Sequence, residues 1–407
     1  MRKHIAIIEA TTSGAGLEVI RSAYNNGIDV SFFTSDPTRY TKFNTDHVLQ
    51  KINRVVICDT KNEAMLENEL SKLNTISPLG GILTLTDGCI EVVSKVSHKL
   101  GYTFMNPKAV SIARNKEQTR KHCKKYGINT PKFRVVDCVE SAKQLLEEWG
   151  GSIILKNSKG TGSSSVQLCT SNDELEVAFH EIHKEASKVN GVVLAEEFLI
   201  GPLVSVESIT YKGETKILGI TNRILGSLPY FVEVGYTFPI KLGDYLEGEL
   251  ADITYRLLES LEVDYGATHI EYILTNKGPV LVEINPRLGG GMLGPMISES
   301  FNDDIYLPLL DIALGREPRI PHAPVKASST FVIYSSKEGV VEDINTSLAE
   351  QCPGVKKVVI NVKKGEKVSP PKDFRGEIGY VWASGETADI SFSYCQTAAG
   401  CVIAKIR

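Results

Sequence analysis

The chain has 407 residues, enough for two to four domains at roughly 100–200 residues each. Hydrophobic residues at 42% and charged residues at 23% describe a chain that can bury a sizeable core, which excludes long disorder. A net charge of −4 excludes a global basic field for nucleic acid or an anionic membrane surface.

The start, Met1-Arg2-Lys3-His4-Ile5-Ala6-Ile7-Ile8-Glu9, is basic and then apolar, but Glu9 ends the apolar run too early for a signal core. It reads as a first buried strand. No apolar run approaches the ~20 residues that span a bilayer. The cysteines (Cys58, Cys89, Cys123, Cys138, Cys169, Cys352, Cys395, Cys401) are scattered without a CxxC pair. That usage fits a reducing compartment, so the expected location is the cytoplasm.

Ile5–Ile8 is a strand, residues 11–16 a small-residue turn, and Leu17–Asn25 a helix stopped by Gly27. Val30–Phe33 and Gly81–Leu85 follow as strands, with a helix at Glu91–Leu100. Strand, turn, helix, strand predicts a parallel α/β unit over residues 1–108. A dinucleotide fingerprint at Gly14-Ala15-Gly16 fails, because the third glycine position holds Val19.

Residues 109–126 read as one basic helix, and Thr130-Pro131 breaks the chain before a strand at Phe133–Val136. A helix at Ala142–Trp149, a hairpin around Lys159–Ser165 and a helix over 172–188 complete a small α+β unit, 109–190. His180 and His183 on that last helix lie beside Glu181 and Glu185 and read as a solvated face. Strands dominate residues 191–318, interrupted by a helix at Leu246–Leu261. Residues 319–407 form a strand-rich end, with strands expected at Ala327–Phe331, Lys357–Val362, Gly379–Val381 and Ile390–Phe392.

The chemistry centres on His269–Leu274 and Val280–Arg287, two period-two segments joined by Asn276-Lys277-Gly278. Folding this hairpin about Lys277 sets Glu271 opposite Glu283, with Asn285 on the same face and Ile270, Tyr272, Val282 and Ile284 on the other. Two carboxylates directly opposite on a sheet repel unless something compensates. A hard divalent cation compensates, and two carboxylates with an amide oxygen suit Mg²⁺ that also contacts phosphates. Upstream, Ile153–Lys156 runs into the loop Asn157–Ser165, whose backbone N–H groups can cradle phosphate oxygens beside the Lys156 charge. This is not a Walker A loop, which needs Gly-Lys-Ser/Thr opening a helix. Val192–Ala195 leads into Glu196-Glu197-Phe198-Leu199, either a plain strand end or a hinge whose backbone meets an adenine edge.

Lys116 in its basic segment, Lys156 with its Gly/Ser loop, the Glu196–Leu199 hinge, and Glu271 with Glu283-Ile284-Asn285-Pro286-Arg287 resemble the ATP-grasp enzymes. Within them, Tyr40 after Asp36-Pro37 and the Gly-rich Leu288–Gly294 resemble the L-amino-acid ligase and carnosine-synthase group. The resemblance implies an α/β ATP-grasp fold: an N-terminal parallel domain, a small α+β lid, and a central antiparallel sheet domain with a strand-rich C-terminal part. It implies that Lys116 and Lys156 contact ATP phosphates, with Gly162, Ser163 and Ser164 in the closing loop. Glu196, Glu197, Phe198 and Leu199 would line the adenine site. Glu271, Glu283 and Asn285 would bind two Mg²⁺ or Mn²⁺ ions. Arg287 would stabilise the transferring phosphoryl, and Glu233 and Tyr236 would face the amino-acid substrate. Many members carry a ribose-binding acid where this chain has Leu203, so either Glu196 or another acid takes that role or ribose is held differently, and the ribose contacts stay open.

The implied reaction activates an amino-acid carboxylate as its acyl phosphate and joins it to an amine, most simply another amino acid, releasing ADP and phosphate. The alternative acceptor is the phosphopantetheine thiol of an acyl-carrier protein; a non-catalytic ATP-binding module would be expected to have lost a metal acid or Arg287. The expected partner is a small-molecule amino acid, with no nucleic acid and no membrane, and a homodimer is left open.

Overall fold

The computed structural model describes residues 3–11, 15–40, 48–52, 54–160 and 165–407. Gly162, Ser163 and Ser164 of the expected phosphate loop lie outside the described residues, as does Gly14.

The N-terminal unit contains β1 (Lys3–Ile8), α1 (Ala15–Asn25), β2 (Ile28–Thr34), β3 (Arg54–Ile57), α2 (Glu63–Ile76), β4 (Gly81–Leu83) and α3 (Ile90–Lys99). Its four strands are parallel in the order β3-β2-β1-β4. The apolar run Ile5–Ile8 is buried on both faces, as a parallel sheet covered by helices requires. Chain order reverses between β1 and β4, so the loops after those two strands flank a switch point, where open α/β sheets place ligands.

The expected single helix over 109–126 is two helices, α4 (Pro107–Ala113) and α5 (Lys116–Lys125). Arg114 ends the first and Asn115 caps the second, its Oδ1 accepting from Gln118 N at 3.2 Å. Ala109, Val110, Ala113 and Cys123 pack with Val204, Leu250 and Ile284 of the central core. The lid core is separate. It uses Val136, Leu146, Leu155, Leu175, Phe179 and Ala195, drawn from β5 (Phe133–Val136), α6 (Val139–Glu148), β6 (Ile153–Asn157), β7 (Val166–Cys169), α7 (Asn172–Ser187) and β8 (Val193–Glu197). Its antiparallel sheet has the order β5-β8-β6-β7.

The central unit follows with β9 (Leu203–Tyr211), β10 (Glu214–Leu225), β11 (Glu233–Ile240), α8 (Asp244–Ser260), β12 (Tyr265–Thr275), β13 (Gly278–Asn285), α9 (Leu293–Phe301) and α10 (Tyr306–Ala313). The C-terminal elements are β14 (Ala327–Tyr334), β15 (Gly339–Asn345), β16 (Val355–Ile360), β17 (Lys367–Val368), β18 (Glu377–Gly385), α11 (Ala388–Gly400) and β19 (Ile403–Ile406). One antiparallel sheet of eight strands runs β13-β12-β9-β10-β11-β14-β18-β16, so three C-terminal strands extend the central sheet. A small sheet, β17-β15-β19, closes the end of the chain.

The expected strand at Ile390–Phe392 is instead the first part of α11. Thr387 caps that helix, its Oγ1 accepting from Ile390 N, and Ser391, Cys395 and Ala398 recur at helical spacing to face β14 and β18. A three-residue segment cannot separate the two periods; the spacing over two turns does. Among the described residues no helix is long and apolar enough to cross a membrane. All eight cysteines are free thiols.

Candidate functional site

One face of the central sheet is polar. Glu271 lies opposite Glu283 and His269 opposite Asn285 on β12 and β13. The next strand places Ser205 beside Glu271 and Glu207 beside His269. On β10, Thr221 pairs with Ser205, and Arg223 pairs with Tyr236 of β11. The opposite face carries Val204, Val206, Ile220, Ile270 and Tyr272, which pack with Leu250 and Leu257 of α8. Strict alternation therefore puts the chemistry on one side of the sheet and the core on the other.

The pairing of the two acids matches the expectation, but the register nearer the turn does not, and Leu281 rather than Val282 packs in the core beside Tyr272. The turn is Asn276-Lys277, one residue tighter than a fold about Lys277, and a bulge between Glu271 and Tyr272 restores the pairing of Glu271 with Glu283. Val282 is the extra residue, and its carbonyl accepts from Arg120 Nη2 at 2.6 Å. Arg120 is fully buried and also grips Glu196, with Nε–Oε1 at 3.0 Å. It thus ties lid strand β8 to the acid hairpin.

Lys116 and Lys156 meet at this junction. Lys116 Nζ donates to Gly160 O at 2.7 Å and lies 3.1 Å from Glu283 Oε2. Lys156 Nζ lies 2.5 Å from Glu196 Oε2. Burial lowers the Lys156 pKa to about 8, with Arg120 and Lys116 acting the same way and Glu196 resisting. The Glu196 carboxylate is engaged by Arg120 and Lys156, so it serves the site through Lys156 rather than as an open acceptor. Further along the hinge, Glu197 N–H donates to Lys132 O at 3.0 Å, and Phe198 packs its ring 6.3 Å from that of Phe231. Leu199 follows the end of β8, and Leu203 is buried.

The acid hairpin fits a hard cation. Both hydrogen bonds to Glu271, from Arg223 Nη1 at 3.3 Å and His269 Nε2 at 3.1 Å, fall on Oε1. Lys116 contacts only Oε2 of Glu283, and Asn285 Oδ1 is buried with no hydrogen-bond partner. Among the described residues this leaves Glu271 Oε2, Glu283 Oε1 and Asn285 Oδ1 as three acceptor oxygens without donors on one face. An orphaned buried acceptor is rare and calls for a ligand. No group of three or more His, Cys, Asp or Glu side chains with metal-binding geometry occurs among the described residues. Two carboxylates and an amide suit an ion whose remaining ligands are phosphate oxygens. Despite its burial, Glu271 is held down at about 2 by Arg223 and His269, so it is a carboxylate at neutral pH.

Toward β11, Arg223 Nη2 donates to Glu233 Oε1, and the guanidinium carbon sits 5.8 Å over the Tyr236 ring. Burial and the nearby Glu271 charge raise the Glu233 pKa, against the pull of Arg223. His269 Nδ1 lies 2.9 Å from both oxygens of Glu207, and its Nε2 lies 2.6 Å from Arg223 Nη1. Against its burial, Glu207 pulls the His269 pKa up to about 9, and the ring's Nε2 also reaches Glu271 Oε1. Gly291 has φ +58°, and a Cβ there would meet the Tyr236 hydroxyl at 3.0 Å, so the Gly-rich turn lies close against Tyr236.

Arg287 does not stand free. Its Nε and Nη2 bind both oxygens of Asp87, and its Nη1 donates to Leu288 O at 2.9 Å. Arg114 Nη1 also reaches Asp87, at 3.3 Å. Against its burial, these two arginines hold Asp87 at about 2. Asp87 follows β4 at the switch point, so the N-terminal unit orients the arginine of the central unit.

Sequence reasoning assembled Glu271, Glu283, Asn285, Lys116 and Lys156 but missed Asp87, Arg120, Glu207, Arg223 and His269. His269 could have been found, since it sits two residues before Glu271 and shares its face. The others are single charged residues on distant elements, with no local signal.

Residues 150–295 match the ATP-grasp domain family, and residues 331–407 match L-amino acid ligase C-terminal domain 2. The chain carries an ATP-grasp domain joined to an L-amino acid ligase C-terminal domain. The L-arginine-specific L-amino acid ligase of Bacillus subtilis is 21% identical over 350 residues, 84% of this chain and 83% of that protein. Carnosine synthase 1 of Mus musculus is 23% identical over 330 residues, 75% of this chain but 39% of that protein. The crystal structure of an L-amino acid ligase from Bacillus licheniformis shares the fold, with a TM-score of 0.83 and 21% identity over 100% of this chain and 99% of that one. The ATP-grasp domain match contains Lys156, the Glu196 hinge and the whole acid hairpin.

Proposed function

We propose that the chain is an ATP-dependent ligase that activates an amino-acid carboxylate and joins it to the amine of a second amino acid. The observation that carries this reading is the single sheet face on which three donor-free oxygens of Glu271, Glu283 and Asn285 lie between Lys116 and the Arg223–Glu233 pair.

In this reading a substrate carboxylate oxygen attacks the γ-phosphorus of ATP, ADP leaves, and an acyl phosphate forms. The amine then attacks the acyl carbon and phosphate leaves. Lys116 and Lys156 hold ATP phosphates, and Glu197, Phe198 and Leu199 line the adenine site. Arg287, aimed by Asp87, meets charge developing on the phosphoryl and then on the tetrahedral oxygen. Glu233 holds the substrate amine, and Tyr236 walls the pocket beside it. Glu271, Glu283 and Asn285 would hold two Mg²⁺ or Mn²⁺ ions, which would supply charge neutralisation for the phosphates. The lid excludes water, which would otherwise hydrolyse the acyl phosphate.

The test is phosphate release with ATP and Mg²⁺ from the twenty amino acids, singly and in pairs, with mass spectrometry of the products. A dipeptide formed with stoichiometric ADP supports the amine acceptor. Turnover that appears only with a holo carrier protein would replace it with a thiol acceptor, and no ATP turnover with any acceptor would reject a ligase.

A further inference from the structure

Arg223 is the cation that forms ion pairs with both Glu271 and Glu233. It sits on β10 between the acid hairpin and β11, with its side chain 8% exposed. Nη1 faces Glu271 Oε1 at 3.3 Å, and Nη2 binds Glu233 Oε1. One planar guanidinium therefore spans the acid of the metal side and the acid of the substrate side. The third nitrogen, Nε, is buried with no acceptor, so the group is held by its two terminal nitrogens alone.

We propose that Arg223 is a positioning residue that fixes Glu233 for the amino-acid substrate by clamping it to Glu271, and that the same charge restrains metal binding at Glu271. This rests on the ligase reading above for the substrate, but its metal half does not. The physical basis is sharing of a single positive charge. Without Arg223, two buried carboxylates face each other across β9 and β10, and Glu233 loses its only ion-pair partner among the described residues. A cation arriving on the donor-free oxygen of Glu271 meets a guanidinium already bound to the other oxygen of the same carboxylate. Removing that guanidinium should therefore tighten the metal while loosening the substrate. A general loss of structure would weaken both.

The experiment uses the full chain and the variants Arg223→Met and Arg223→Lys. Mn²⁺ alone, and Mn²⁺ with a non-hydrolysable ATP analogue, is titrated by electron paramagnetic resonance. KM and kcat are measured for ATP and for the amino-acid pair found by product screening. Arg223→Met is expected to bind Mn²⁺ about tenfold more tightly, since a unit charge a few ångströms away is lost. It is expected to raise the amino-acid KM about tenfold or more while the ATP KM stays within about twofold. Arg223→Lys is expected to restore Mn²⁺ affinity toward wild type and to leave the amino-acid KM high, because an ammonium lacks the fork that spans both acids.

Unchanged or weaker Mn²⁺ binding in Arg223→Met overturns the restraint on the metal. An equal rise in both KM values overturns the positioning of Glu233. Should Arg223→Met fail to fold, Arg223→Lys carries the decision: full recovery of the amino-acid KM rejects the two-acid clamp. If no amino acid supports turnover in the wild type, the ligase reading fails by itself, and the Mn²⁺ titration still judges the Arg223–Glu271 link.

Discussion

Asp87 and Arg287 stand 200 positions apart in the chain and form a two-point ion pair where the N-terminal unit meets the central one, with Nε–Oδ1 at 2.8 Å. The pair is reinforced by Arg114 and leaves Arg287 one orientation. Asp87→Asn keeps the shape and removes the charge. It should lower kcat about ten- to a hundredfold with the ATP KM nearly unchanged, because in the proposed reaction Arg287 would act as charge develops rather than in ground-state binding. Steady-state kinetics against both substrates checks this; a rise in ATP KM at constant kcat would contradict it.

Glu283→Gln should reduce ADP formation by at least about a hundredfold while leaving the thermal transition near that of the wild type. The substitution removes one of two opposed carboxylates, so the repulsion across the hairpin falls as the Lys116 ion pair is lost. Glu271→Gln should be as inactive but less stable, since Arg223 and His269 both depend on that charge. Differential scanning calorimetry beside an ADP assay separates the two outcomes.

Lys156 titrates near 8 in the folded chain, below its ordinary value of about 10.4. The folded state therefore sheds a proton between those pH values that the unfolded chain retains, so this group's contribution to stability rises with pH across that window. Function runs the other way. The ATP KM should climb as pH passes about 8 and the phosphate contact loses its charge. In Glu196→Gln the climb should begin at lower pH, because the counter-ion that opposes the shift is gone. Lys156→Ala should weaken ATP at every pH and flatten the profile.

Burial lifts Glu377 to about 7, with Asn361 Nδ2 donating to it at 2.7 Å. Here the folded state holds a proton that the unfolded chain loses near pH 4.3. The associated stability is present below that pH and lost as pH rises through about 7. Glu377→Gln mimics the protonated form, so it should raise Tm by about 2–4 °C at pH 8 and leave it unchanged at pH 4. Thermal melts at the two pH values decide it.

The hairpin of β12 and β13 was legible because alternation and turn chemistry act between neighbours in the chain. Its bulge was not, since a bulge answers to what packs against it, here Arg120 on the Val282 carbonyl. Likewise Asn115 splits the basic helix by a local cap, visible as Asn115 followed by Gln118. The Ile390–Phe392 segment became a helix because Ser391, with Cys395 and Ala398 beyond it, packs against β14 and β18.

The sequence by itself determined the strand and helix periods, the two acids on one face of a hairpin, and the presence of two lysines upstream of that pair. Those features are set by side-chain alternation and local turns, which operate over a few residues. Only the tertiary structure decided that Arg223 bridges two acids, that Asp87 aims Arg287 and that Glu196 is the counter-ion of Lys156. Each depends on strand order or domain contact, and isolated charges acquire partners only when the sheet brings distant strands side by side.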